Sequence, residues 1–217
     1  MTITQKIADQ IEPYMKDHSF CYLKKCFYKI QDDIVFCMQF DATEGFVYAT
    51  YYVMPLYIPC STRYYSYGHR ITAPNSQLSA LSRDASDGEI KKWCKLLCCY
   101  IEKNVLSFFH RISTPKQLVK YVERKLLVRQ NVFSCPRVQS IRLLMFSYLY
   151  MEDYKTLTKT IKKYEKAIRK SSFFTNEVRS RYLHEVNAVK QLIEEGNDES
   201  RKFCSTTIAD TISKCFS

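Results

Sequence analysis

The spacing of apolar residues changes period twice along this 217-residue chain, from helical to strand-like and back, and those changes limit the fold more tightly than any other feature. Over residues 26–57 apolar and polar side chains alternate, as they do on strands. Three runs carry the alternation, 26–31, 34–41 and 46–57, all rich in aromatic and β-branched residues. In the middle run Ile34, Phe36, Met38 and Phe40 fall on one face, and Val35, Cys37, Gln39 and Asp41 on the other. Asp32-Asp33 and the stretch 43–45 supply short turns, so a three-stranded antiparallel meander is predicted. From Asp87 onward the apolar residues recur every three or four positions, which is a helical period.

Helix boundaries follow from local chemistry. Residues 2–17 read as an amphipathic helix with Ile3, Ile7, Ile11 and Met15 on one side and Thr2 with Gln5 as a capping box. Pro13 should kink or end it, because proline has no N–H to donate. Residues 59–88 hold Pro59, Gly68, Pro74 and Gly88 and read as irregular connection, with one more short strand near 64–71. Beyond it, Ile90, Trp93, Cys94, Leu97, Cys98 and Ile101 form one apolar stripe. Thr114-Pro115 with Gln117 combines a cap, a first-turn proline and a capping box. Pro136 opens a helix with Val138, Ile141, Leu144, Met145 and Tyr148 inward, and helices follow at 153–170, 176–195 (stopped by Gly196) and 199–216. The fold class is therefore α+β: a small antiparallel meander with a packed N-terminal helix, then a mainly helical C-terminal half.

Charge divides the chain in a similar way. Residues 1–86 hold 8 Lys/Arg against 8 Asp/Glu, and residues 87–217 hold 25 against 14, so the helical part carries the whole net charge of +11. No stretch approaches the ~20 apolar residues of a membrane span, and the polar start has no secretory pattern. Several of the ten cysteines sit inside apolar periodic segments, such as Cys37, Cys94 and Cys98, where a thiol packs as a small hydrophobe. A reduced, cytoplasmic protein that does not enter membranes is expected.

Two segments resemble a known family. Residues 24–40, reading KKCFYKIQDDIVFCMQF, and residues 105–123, reading VLSFFHRISTPKQLVKYVE, are similar to the uncharacterised bacterial domain-of-unknown-function family numbered 4304. The chain departs from that family at Ser107, where proline is usual. The resemblance spans residues 1–125. It implies an α+β domain at 1–130, with the sheet at about 26–57 and helices at about 2–17 and 88–125, followed by a helical subdomain at 131–217 that shares its core. Charge alone would set the boundary near 86. Some members of that family are thought to act in toxin-immunity settings, which implies binding; the resemblance supplies no catalytic residues.

The residues themselves point away from chemistry. None of His18, His69, His110 and His184 lies three to five positions from another, so there is no helical zinc pair. The chain has no G-x-S-x-G, G-x-G-x-x-G or P-loop, and no catalytic, metal or cofactor residues are assigned. Two surfaces remain as candidates. Lys155, Lys159, Lys162, Lys166, Arg169 and Lys170 fall within about 100° of arc on the helix at 153–170, opposite Tyr154, Leu157, Ile161, Tyr164 and Ile168. Lys116, Lys120 and Arg124 make a shorter stripe. Tyr51, Tyr52, Tyr57, Tyr64, Tyr65 and Tyr67 form a dense aromatic cluster, suited either to an interface or to capping the sheet core. The expected function is a non-enzymatic protein-interaction module in a regulatory or toxin-immunity-like setting. The alternative is association with nucleic acid through the basic helices.

Overall fold

The computed structural model describes residues 1–60, 63, 67–71, 78, 80–128, 137–172 and 174–216. The chain is α+β and divides into two compact units: Met1–Met54 with Tyr67–Ser113, and Pro55–Ser66 with Thr114–Ser217. The helix that opens at Thr114 belongs to the helical unit.

In the first unit helix α1 (Ile3–Asp17) buries Ile7, Ala8, Ile11 and Met15. The Thr2 hydroxyl accepts the Gln5 N–H, but the Gln5 side chain turns to Asp9, so only half of the expected capping box forms. Pro13 does not end the helix. Its ring is exposed, and α1 continues for one more turn to Asp17 without the N–H that Pro13 lacks.

A six-stranded sheet follows: β1 (Cys21–Leu23), β2 (Cys26–Gln31), β3 (Ile34–Thr43), β4 (Phe46–Pro55), β5 (Gly68–Arg70) and β6 (Leu81–Ser82). Its order is β1-β2-β3-β4-β5, with β6 also paired to β4. The three expected runs are β2, β3 and β4. β1 was not legible, because the turn that joins it to β2 is Lys24-Lys25, with φ of 48° and 66°, a left-handed conformation that usually selects Asn or Gly. Asp32-Asp33 makes the equivalent turn between β2 and β3, with φ of 47° and 58°.

The alternation in β3 separates two faces, but both are buried: Val35 and Cys37 are as inaccessible as Ile34 and Met38. On the helix-covered face Phe36 meets Phe109 at 4.9 Å between ring centroids, and Phe40 meets Trp93 at 6.4 Å. Trp93 lies on α2 (Asp87–Tyr100), which Ser86 and Glu89 start with a reciprocal capping box. A six-residue π-helical segment, Ile101–Leu106, then precedes α3 (Ser107–Arg111).

The helical unit holds α4 (Pro115–Leu127), α5 (Arg137–Tyr150), α6 (Tyr154–Lys170), α7 (Asn176–Glu195) and α8 (Asn197–Phe216). Thr114 and Gln117 form the expected capping box. α5 is central: besides the five residues expected inward, Ser140, Leu143, Phe146, Ser147 and Leu149 are buried, so it is apolar on nearly every side. It packs on α4, α6 and α8. Residues 55–60 lie against it as well, with Tyr57 stacked on Tyr150 at 4.4 Å and its hydroxyl 3.0 Å from the Ser147 hydroxyl. Among the described residues, no helix is long and apolar enough to cross a membrane.

Candidate functional site

The helical unit contains a groove of about 660 Å³ between α4, α5 and α6. Its walls follow from the helix periods. α6 has Asp153 as N-cap, its carboxylate accepting the Thr156 N–H at 3.0 Å. Leu157, Ile161, Tyr164 and Ile168 point into the unit, and Lys155, Lys159, Lys162, Lys166, Arg169 and Lys170 are all exposed. The six cations predicted as a face are therefore solvent-facing together.

They do not act as one row. Lys159, Lys166 and Lys170 line the groove with Lys163, and at 100° per residue these four span about 60° of arc. Lys155, Lys162 and Arg169 lie on the far side of the exposed face and do not line it. Lys163 was missed by the sequence reading, although its position four residues after Lys159 is the signal that could have found it. The stripe of Lys116, Lys120 and Arg124 is exposed on α4 but also stays outside the groove.

Facing the lysine row is an apolar floor of Leu126, Leu127, Ile141, Leu144 and Ala167, with Arg137 at the start of α5. Leu127 is 83% exposed and Val128 59%, so the apolar wall continues to the surface at the end of α4. Glu123 is the single acid among the described lining residues. Its carboxylate accepts the Tyr148 hydroxyl at 2.5 Å. Burial, followed by that bond and the Glu123 charge, raises the Tyr148 pKa, so the phenol remains a neutral donor that holds Glu123 in place. The groove thus sets a row of four lysines beside an apolar floor, with Arg137 at its edge and one fixed carboxylate.

The tyrosine cluster requires a correction. Tyr52, Tyr57 and Tyr67 are fully buried, and Tyr51 is half-buried under Phe108 and Phe109, at 5.7 and 6.0 Å between ring centroids. Tyr64 and Tyr65 lie outside the described residues. Tyr52 fills the sheet with its hydroxyl donating to Gln39 Oε1 at 3.2 Å, and Tyr57 belongs to the helical unit. The physical reason is that a tyrosine ring buries well once its hydroxyl has a partner, so density of tyrosine in sequence does not distinguish core from surface. Among the described residues, no three His, Cys, Asp or Glu side chains come close enough to hold a metal ion. No protein-family model, curated protein or solved structure matches the chain.

Proposed function

We propose that this protein is a non-enzymatic interaction module whose helical unit seats an acidic, amphipathic segment of a partner protein in the α4–α5–α6 groove. The observation that carries this reading is the lysine row Lys159, Lys163, Lys166 and Lys170 set beside an apolar wall that reaches solvent at Leu127. A helix with one apolar and one acidic side matches both walls at once, apolar contact giving affinity and charge giving orientation and fast encounter. The resemblance of residues 1–125 would place such a module in a regulatory or toxin-immunity-like setting. Cysteines packed as apolar side chains, Cys26, Cys37 and Cys94 among them, support a cytoplasmic location.

The second reading is nucleic acid, favoured by the exposed cations Lys155, Lys162 and Arg169 that the groove does not use. It ranks lower because single-strand binding sites add aromatic stacking faces to the basic ones, and the exposed face of α6 has none.

Fluorescence anisotropy separates the two readings. The probes are a peptide with leucines at helical spacing among glutamates, a scramble of that peptide, and a single-stranded RNA of equal charge. The helical peptide should bind about tenfold or more tighter than its scramble, and lose that advantage with Leu127→Glu. RNA binding tighter than both peptides, with affinity falling on the order of a hundredfold between 50 and 200 mM salt, would reverse the ranking.

A further inference from the structure

A second concavity, of about 210 Å³, lies within the α/β unit where the end of α1, strands β2 and β3, and α3 converge. We infer that this cleft is a binding site for a small aromatic anion, a single ring bearing a carboxylate or phosphate. One side is walled by Phe20, Phe36 and Phe109, and the other by His18, Lys29 and His110. Among the described residues, no carboxylate lines it. The volume is below the usual range for drug-sized ligands, which suits one ring and its charged group rather than a larger ligand.

The cationic side is held in place. Lys29 Nζ donates to the His18 carbonyl at 3.4 Å, at the C-terminal end of α1, where a cation is favoured. That bond uses one of the three donors of the ammonium. His18 Nε2 lies 3.2 Å from Glu102, which also accepts the Tyr14 hydroxyl at 2.6 Å, and the Tyr14 ring meets His18 edge-on at 4.8 Å. Glu102 therefore orients the imidazole from outside the cleft. His110 is exposed on α3 and can move to meet a ligand.

The π-helical segment borders the cleft. Glu102 lies within it and Leu106, a wall of the cleft, ends it. Each wide turn in place of an α-turn shifts the following residues by about 100° around the axis. Such segments are rare, carry poorer hydrogen-bond geometry and occur often at functional sites.

Isothermal titration calorimetry on the full chain tests the inference with phenyl phosphate, benzoate, benzyl alcohol and inorganic phosphate. Phenyl phosphate or benzoate should bind about tenfold or more tighter than benzyl alcohol and than inorganic phosphate, since only they use both sides of the cleft. Lys29→Gln and His110→Gln should each weaken binding by about threefold to tenfold. Lys16→Gln, whose ammonium pairs with Glu12, should leave it unchanged. Benzyl alcohol or inorganic phosphate binding as tightly as phenyl phosphate overturns the proposal, as does no binding by either aromatic anion. If Lys29→Gln lowers the folded fraction, the exposed His110→Gln still decides, and unchanged affinity in that variant counts against the site.

Discussion

Arg142 and Glu185 make the least exposed ion pair among those described, with side chains 11% and 19% exposed. Arg142 Nε donates to Glu185 Oε2 at 2.8 Å and its Nη2 to Glu185 Oε1, so the contact is bidentate. The same guanidinium donates to the Pro59 carbonyl at 3.1 Å and sits 5.2 Å from the Phe146 ring centroid. One side chain on α5 thereby ties α7 and residues 55–60 to the centre of the helical unit. Glu185→Ala would leave a largely buried guanidinium without its carboxylate, and should cost about 3–5 kcal/mol. Replacing both charges, Arg142→Met with Glu185→Leu, removes the stranded charge. The double variant should therefore lose only about 1 kcal/mol, chiefly the bond to Pro59. Urea unfolding followed by far-ultraviolet circular dichroism measures the cycle, because the five helices α4–α8 dominate the described part of this unit. Trp93, the single tryptophan, lies in the other unit and gives a second signal, whose midpoint should move less wherever the two transitions separate. A loss under about 1 kcal/mol for Glu185→Ala, as for a surface pair, would refute the reasoning. So would a double variant as unstable as the single one.

Other perturbations follow from single contacts. Thr114→Ala removes the acceptor for the Gln117 N–H and should lower stability by about 1 kcal/mol in urea unfolding. Gly68→Ala should cost about 1–3 kcal/mol, because a Cβ there would lie 2.3 Å from the Tyr51 carbonyl oxygen and from Tyr52 Cβ. Reversing Lys159, Lys163, Lys166 and Lys170 to glutamate should change stability by under about 1 kcal/mol while abolishing binding of the acidic peptide; unfolding would show that this face is not exposed. Burial pushes the Cys94 thiol up to about 12 and Cys204 up to about 11, so iodoacetamide near neutral pH should modify exposed Cys21 and Cys99 first, as peptide mapping would report. The protonated thiol is favoured by folding, so the contribution of these two cysteines to stability holds below about pH 9 and falls as pH rises above it.

Much of the fold was legible where one local rule acted alone. The run 26–31 is β2, and Gly196 stops α7 because its φ of 104° is a conformation other residues rarely adopt. Legibility failed where tertiary context outweighed a local signal. Pro13 lies on the exposed side of α1, where packing of Ile11 and Met15 holds the helix across a missing hydrogen bond. Lys24 and Lys25 occupy a left-handed turn because the β1–β2 pairing, Leu23 opposite Cys26, leaves only two residues to reverse the chain. The π-helical segment left no mark, since Ile101 and Val105 still fit an α-helical stripe and the extra residue in the turn changes only what lies beyond it.

The candidate site was half legible for a related reason. Exposure of the α6 lysines follows from the helix's own apolar side, so a one-helix argument found them. Their division into a groove-lining row and an outer row depends on where α4 and α5 run, and no feature of residues 154–170 encodes that. The floor is harder still: Ile141 and Leu144 read as ordinary core, and they gain meaning only because α4 ends in Leu127 and Val128, whose side chains stay in solvent. A helix that buried those two residues would close the wall against its neighbour. Left open, it sets an apolar strip beside a cationic one, and that juxtaposition depends on the packing of three helices.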